Sequence, residues 1–300
     1  MRPAVPAHAG YRTGFARCSR PRLMTDDRPA AVPADRSPAP YPHPQPGEAG
    51  AEDDALWAYL RSLTAARIGL KRSGASLATG PLLDFKLAHA RARDAVREPL
   101  DEARLVADVA SLGLPVLAVA SAAEDRQRYL MRPDLGRRLA PGAQAMLAAH
   151  RANGFDVVFV VADGLSARAV QTHAKPVLAD VLPLLRAEGW RIAPLVIARH
   201  GRVAIGDEIA IALRADCTVV LIGERPGLTA PDSMGAYLTW QPCSRTTDAD
   251  RNCISNIRPE GIGYGDVAIK LAHILRSMRA RRLSGVQLKD DSDWLLINAP

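Results

Sequence analysis

The sequence predicts an α/β fold in which helices cover both faces of a doubly wound, mostly parallel sheet. Three observations support this prediction. Short apolar runs recur between residues 115 and 222, amphipathic segments separate them, and 48% of the 300 residues are apolar. Continuous apolar runs are typical of strands buried on both faces, and alternation with helices is typical of parallel sheets. The length suits one large domain or two smaller ones.

The N-terminal segment 1–52 has a different composition from the rest of the chain. It contains 10 of the 23 prolines, and proline occupies every second position from Pro38 to Pro46. Such a segment favours extended polyproline geometry and cannot bury an apolar core. We therefore predict a disordered Pro/Ala-rich tail over residues 1–52.

Residues 53–112 predict a small helical domain. Asp53 and Asp54 precede apolar residues at helical spacing, and acidic residues are favourable at a helix N-terminus. A second amphipathic segment begins near Leu83 and ends before Pro99, with basic residues on its polar side. After this segment, the helical spacing of apolar residues gives way to the continuous, strand-like apolar runs of the main body.

The sequence predicts a Rossmann-like domain over residues 113–289, the main body of the chain. It predicts a C-terminal tail over residues 290–300. We expect Pro183 to kink or divide its helix, because proline removes a backbone hydrogen bond. Tyr237–Trp240 is a further candidate strand, and 245–258 predicts a long polar loop. The predicted strands are 115–120, 156–161, 194–198 and 217–222, and the predicted helices are about 137–151, 166–188, 205–214 and 265–282.

Charge and cysteine usage argue against several classes of protein. The net charge is +7, but residues 54–97 and 270–289 supply the excess, while 98–269 carry 18 basic and 20 acidic residues. We therefore expect basic helix faces rather than a nucleic-acid groove, and no nucleic-acid partner. No apolar run reaches the length of a membrane span, so we expect no membrane partner. The four cysteines form no C-x-x-C pair and predict reduced thiols rather than a zinc site.

Candidate functional residues follow the predicted strands, because ligands bind at the carboxyl ends of strands in open α/β sheets. The loop 163–166 ends in Ser166, which could simply cap the next helix. The loop 223–227 places Glu224 and Arg225 between two glycines. Glu224 could accept hydrogen bonds from a ligand and Arg225 could pair with a phosphate. The alternative is a surface turn with an ion pair.

Nucleotide-binding and metal-binding motifs are missing from the sequence. The segment 261–265 has Asp266 where a dinucleotide fingerprint needs glycine, and no Walker A sequence occurs.

The polar segment 245–258 is long enough to indicate a functional loop, and it contains Cys253, which could equally be a packed thiol.

Five motifs, in order, resemble the small (light) subunit of ethanolamine ammonia-lyase. They are YLMRPDLGRRL (129–139), DGLSA (163–167), GRV (201–203), IGERPGL (222–228) and ADRNCISNI (249–257). The resemblance implies a non-autonomous subunit of a carbon–nitrogen lyase. That lyase converts ethanolamine to acetaldehyde and ammonia by a radical mechanism. The main catalytic residues are then expected on the large barrel subunit, and this chain joins it in a hetero-oligomer.

The resemblance also implies adenosylcobalamin at the interface between the two subunits. The cofactor-binding positions then fall on Val203, Glu224 and Cys253, within a cobalamin-binding domain over 113–289. The sequence contains no D-x-H-x-x-G motif, so we expect the cofactor to be base-on, with no metal ligand from this chain.

Two further expectations accompany the resemblance. We expect cytoplasmic residence, with a bacterial microcompartment as the alternative that is known for the family. The alternative function is a free-standing Rossmann-like protein that binds a nucleotide or flavin.

Overall fold

The computed structural model describes residues 51–64, 66–70, 72–152 and 154–292. The proline-rich segment of the predicted N-terminal tail therefore lies outside the described residues, as does most of the predicted C-terminal tail. The chain divides into two units, Met1–Glu52 and Asp53–Pro300, and all the elements described below except the start of the first helix belong to the second.

Within the described residues, three helices and a hairpin precede the main sheet. Helix α3 begins at a cap in which the Asp101 carboxylate accepts a hydrogen bond from the Arg104 amide at 3.0 Å. Leu105 and Val109 of α3 lie in the large core cluster on one face of the sheet. The domain boundaries predicted at 52, 112 and 289 stay a prediction. The elements are α1 (Ala51–Ser62), β1 (Arg72–Ser73), β2 (Ser76–Leu77), α2 (Thr79–Arg97) and α3 (Glu102–Ala110).

The main sheet has six strands in the order β3-β5-β4-β6-β7-β8. The first four are mutually parallel, and β7 and β8 add an antiparallel edge. The four apolar runs thus form the parallel strands as predicted, and the candidate strand at Tyr237–Trp240 is confirmed within β7. The strands are β3 (Val116–Ala120), β4 (Phe155–Ala162), β5 (Leu195–Arg199), β6 (Ala215–Gly223), β7 (Met234–Trp240) and β8 (Arg251–Ile257).

Helices cover both faces of this sheet, which confirms a mostly parallel α/β architecture. In β4, Val157, Phe159 and Val161 face one core cluster, whereas Val158 and Val160 face the other. The alternation follows from the two-residue period of a strand, and both faces are apolar because both are covered. Helices α6 and α8 cover the first face, and α5 and α7 the second. The helices are α4 (Arg126–Met131), α5 (Ala143–Ala148), α6 (Ala167–Ala187), α7 (Ile205–Leu213) and α8 (Tyr264–Arg281).

The helix predicted over 137–151 was wrong in extent. The structure has only α5 there, after a short 3₁₀ turn at Leu135–Arg137. Pro141 disfavours helical geometry at the residue before it, and Gly142 adopts a left-handed φ of +83°. A helix cannot continue through these two residues, so it restarts after them.

Helix α6 is not divided at proline, contrary to one of the two outcomes expected for Pro183. Pro176 and Pro183 both lie inside the single helix Ala167–Ala187. An interior proline costs about 3 kcal/mol, whereas each buried valine or leucine contributes about 1.5–3 kcal/mol. The buried face of α6 includes three valines and three leucines, enough to offset the prolines.

The predicted polar loop over 245–258 was also wrong in part, because strand β8 occupies half of it. Only Arg251, Ile254 and Ile257 of β8 are buried, and the remaining residues are half-buried or exposed. An edge strand can carry this polar sequence because it needs apolar side chains only where it touches the core.

Candidate functional site

A cleft of about 400 Å³ opens at the carboxyl ends of the parallel strands. The segments after β4, β5 and β6 line it, together with one side chain each from α4 and β7. The cleft is therefore at the edge of the sheet where ligands of open α/β folds bind. Its lining residues are Tyr129, Gly164, Leu165, Arg202, Val203, Ile222, Gly223, Glu224, Arg225 and Tyr237.

Glu224 extends from the end of β6 into this cleft. Its amide donates to the Ser233 carbonyl at 3.0 Å. Its carboxylate accepts a hydrogen bond from the Asn256 amide at 3.3 Å and lies against Gly235, where a Cβ would be 3.0 Å from Oε1. The edge strand β8 therefore positions the carboxylate, whose remaining lone pairs can accept hydrogen bonds from a ligand.

Val203 lies on the opposite side of the cleft, in the segment after β5. Its half-buried side chain packs against the core cluster under α7. The adjoining Gly201 amide donates to the Asp163 carboxylate at 3.1 Å, which ties this segment to the loop after β4. Val203 offers the cleft an apolar surface on a backbone that is hydrogen-bonded to its neighbours.

Cys253 does not line the cleft but is one strand away from it. It pairs in register with Tyr237 of β7, and the two side chains are close enough to shift each other's pKa. Although Cys253 is exposed at the surface, partial desolvation raises the pKa of its thiol, and the interaction with Tyr237 opposes the shift. The group is therefore a neutral thiol near pH 7 and is not activated as a nucleophile.

The loop after β4 lines the cleft and contacts the end of β6. A Cβ at Gly164, whose φ is +55°, would overlap the Gly223 carbonyl oxygen. The Arg126 guanidinium donates to the Gly164 carbonyl at 2.7 Å and approaches the Asp163 carboxylate at 3.4 Å. Burial raises the pKa of Asp163, and the positive charge of Arg126 opposes that shift.

Ser166 does not cap α6, contrary to the simplest interpretation of its loop. It occupies the residue before the helix, but its hydroxyl donates to the Pro231 carbonyl at 3.1 Å. That bond connects the loop after β4 to the segment between β6 and β7. The serine therefore holds two loops of the site together.

Arg225 lies at the rim of the cleft with an exposed side chain. Within the described residues it forms no ion pair with Glu224 or with any other carboxylate, so the alternative of an ion-paired turn is not what this loop adopts. The cation is available to a ligand.

Tyr129 and Arg202 are among the lining residues that were not predicted site residues. Both lie within motifs that carried the family resemblance, and Arg202 directly precedes Val203. Their contribution depends on packing between α4 and the segment after β5, which no local pattern in the sequence reveals.

Two other kinds of feature are absent from the described residues. No cluster of three or more His, Cys, Asp or Glu side chains there could hold a metal ion. No helix in the described part of the chain is both long and apolar enough to span a bilayer.

The fold and the cleft define an α/β protein with a mostly parallel sheet and a cleft at the carboxyl edge of its strands. Its sequence matches the ethanolamine ammonia-lyase light chain (EutC) family over residues 54–289. The chain belongs to this family, which confirms the resemblance seen in its motifs. It is thus a subunit of a lyase, as predicted.

Curated relatives agree with this assignment. The ethanolamine ammonia-lyase small subunit of Azotobacter vinelandii is 53% identical over 240 residues, covering 79% of this chain and 89% of that protein. That of Ralstonia nicotianae is 51% identical over 246 residues, covering 81% and 91%. That of Pseudomonas fluorescens is 53% identical over 239 residues, covering 79% and 87%.

Proposed function

We propose that this chain is the small subunit of an adenosylcobalamin-dependent ethanolamine ammonia-lyase and forms part of the cobalamin site at the interface with a large barrel subunit. One observation carries the proposal. The cleft at the carboxyl edge of the sheet places Val203 and Glu224 on the same lining surface. These are the two strand-end positions that the family resemblance assigned to the cofactor. The fold is then Rossmann-like, with the cofactor at the strand ends.

The residues of the cleft suit the rim and face of a corrin. A corrin is a wide, largely apolar ring edged with amide side chains. Glu224 can accept hydrogen bonds from those amides, and Val203 can pack against the ring. Cys253 contributes through Tyr237, whose ring lines the cleft. When bound, adenosylcobalamin supplies the radical chemistry through homolysis of its cobalt–carbon bond, and this chain binds, orients and shields it. We propose that cobalt receives no ligand from this chain and that the cofactor is base-on.

The size of the cleft supports a shared site. A cavity of about 400 Å³ is at the lower end of the range for drug-sized ligands, and a corrinoid is much larger than such ligands. This chain can therefore cover only part of the cofactor. A second protein surface would complete the enclosure, as expected for a cofactor between two subunits.

The helices before the sheet expose apolar side chains that a partner could cover. Large apolar side chains with 38–65% exposure lie on α1, directly after it, and on α2. Leu228, in the segment after β6, is also exposed and lines a surface pocket together with Leu87 of α2. Exposed apolar groups that lie together often mark protein interfaces. The side chains on α1, directly after it, and on α2 are Trp57, Tyr59, Leu63, Leu83, Phe85 and Leu87.

The test is co-expression of this chain with a cognate large subunit. Adenosylcobalamin and ethanolamine are added, and ammonia and acetaldehyde are measured. We expect turnover only when both chains are present, and weak cobalamin retention by this chain alone. Yellow flavin or nucleotide retained by this chain, without turnover of the pair, would instead support the free-standing Rossmann-like protein.

Cellular location is a separate part of the proposal. We propose residence in the cytoplasm, with housing in a bacterial microcompartment as the alternative. Fluorescence microscopy of the tagged chain, with and without shell proteins, separates diffuse from punctate distribution.

A further inference from the structure

The motif YLMRPDLGRRL folds beneath the side chain of Arg202. The Arg202 guanidinium carbon lies 4.4 Å from the centre of the Tyr129 ring. The Arg202 amide donates to the Gly136 carbonyl at 2.7 Å. A Cβ at Gly136 would be 2.8 Å from Cγ of Arg202, so only glycine leaves room for the arginine stem. We call Tyr129 and Gly136 the arginine seat.

The arginine seat is itself held rigidly. Tyr129 is fully buried, and its hydroxyl donates to the Gly201 carbonyl at 3.3 Å. Its ring also stacks on His200, with the ring centres 6.0 Å apart. Because the seat is fixed by the same segment that carries Arg202, the guanidinium is oriented before any ligand arrives.

The positive charge of Arg202 has no carboxylate partner within the described residues. Its Nε is buried and forms no hydrogen bond there, and no carboxylate forms an ion pair with its guanidinium. The two nearby carboxylates are engaged elsewhere, since Asp163 accepts from Gly201 and Glu224 accepts from Asn256. Arg202 is half-buried and lines the cleft, so its unpaired charge points to an anionic ligand that would bind the terminal guanidinium nitrogens.

The chemistry of the cleft favours an anion at this position. A stacked guanidinium presents its N–H groups in one plane, which suits bidentate hydrogen bonds to phosphate. Arg225 adds a second unpaired cation to the lining of the same cleft. The peripheral amides of a cobalamin are neutral, whereas the phosphodiester of its nucleotide loop carries a negative charge.

We propose that Arg202 binds the phosphodiester of the cobalamin nucleotide loop and that Tyr129 and Gly136 are its positioning residues. This inference rests on the proposed function and adds to it the subsite that recognises the nucleotide loop. It gives the motif at 129–139 a role, which is to build the arginine seat.

The test compares two ligands on the complex of this chain with its large subunit. Cyanocobalamin carries the phosphodiester, whereas dicyanocobinamide keeps the corrin and its amides but lacks the nucleotide loop. We expect R202Q to weaken cyanocobalamin binding by about 10- to 100-fold, the range for a hydrogen bond to a charged group. Dicyanocobinamide affinity should change by less than about twofold, because the phosphodiester is the group that Arg202 contacts.

Two further variants test the arginine seat and the fold. Y129L removes the ring and should reproduce the selective loss on cyanocobalamin, more weakly than R202Q, with the double variant no worse than R202Q alone. R202K keeps the charge without the planar fork and should give an intermediate loss. R132Q, an exposed arginine of the same motif paired with Asp134, is the matched control and should bind both ligands normally.

Each outcome decides the inference. Equal losses on both corrinoids would assign Arg202 a structural role and overturn the phosphodiester contact. Unchanged binding in R202Q, with a normal melting temperature, would also overturn it. A wild-type complex that binds neither corrinoid would refute the proposed function itself, and that result is distinguishable because it appears before any substitution.

Discussion

The two sides of the cleft hold their charged groups in different ways. Glu224 lies at the end of β6, and its carboxylate is hydrogen-bonded to the edge strand at Asn256. Arg202 lies after β5, stacked on Tyr129, with a buried nitrogen that has no partner within the described residues. The anion is thus positioned by a hydrogen bond, and the cation by ring stacking. Both charged groups are therefore oriented before a ligand binds, and the guanidinium of Arg202 keeps hydrogen-bonding capacity that the described residues do not use.

The largest expected effect comes from the buried ion pair that joins β8, on the Glu224 side of the cleft, to α7, which follows the Arg202 segment. The Arg251 guanidinium binds the Asp207 carboxylate through two hydrogen bonds of 2.7 Å, and both side chains are buried. R251M leaves Asp207 as an unpaired buried charge, so we expect the free energy of unfolding to fall by about 3–5 kcal/mol. Urea denaturation measures it.

A double variant provides the control for this pair. D207L/R251M removes both charges and should recover most of the lost stability, since apolar replacements of buried ion pairs are often neutral. If the double variant were as unstable as R251M, the loss would come from packing around Arg251 rather than from the stranded charge.

Gly164 packs against the end of β6, on the Glu224 side of the cleft, and its substitution ranks second. G164A forces a left-handed φ on alanine and drives its Cβ into the Gly223 carbonyl. We expect a loss of about 2–4 kcal/mol in the free energy of unfolding, from backbone strain and overlap together. The control is G80A, since Gly80 lies in α2 with open space around its Cα and alanine there should be neutral or gain up to about 1 kcal/mol. A stable G164A would show that the loops can separate.

Glu224 tests the anionic side without disturbing the core. E224A should weaken cobalamin retention by the two-subunit complex about 10-fold or more, and lower the free energy of unfolding by no more than about 1 kcal/mol, because it removes a single hydrogen bond. Equilibrium dialysis and thermal melting measure the two quantities. E260A, an exposed acid after β8, is the matched control. A collapse in melting temperature with normal affinity in the surviving fraction would make Glu224 structural.

Cys253 has the smallest expected effect, because its side chain does not line the cleft, whereas that of its cross-strand partner Tyr237 does. C253S should change cobalamin affinity by less than about threefold, as expected for a weak neutral contact. Since partial desolvation raises the pKa of the thiol, it stays protonated at neutral pH and forms thiolate only as pH rises through that elevated value. Its alkylation by iodoacetamide should therefore still be increasing at pH 9–10, measured by mass spectrometry. Rapid alkylation at pH 7 would contradict this environment.

Much of the fold was predictable because it depends on local apolar patterning. Runs such as 156–161 are too apolar for anything except a covered strand, and α8 begins and ends within one residue of its predicted limits. The errors occurred where neighbours decide the outcome. Residues 251–257 are polar enough to resemble a loop and become a strand only because β7 offers an unpaired edge. Helix α6 continues through Pro183 because burying its apolar face against the sheet offsets the cost of the proline.

The site divides in the same way. The sequence by itself determined the loop of Glu224, which follows a strand, and through its motifs the family and the position of Val203. The tertiary structure alone decided that Glu224 and Val203 share one cleft, that Cys253 pairs with Tyr237 without lining that cleft, and that Tyr129 supports Arg202 across 73 positions of chain. The physical reason is range: strand and helix patterns act between neighbours in sequence, whereas a cleft is made by contacts between segments that only the folded sheet brings together.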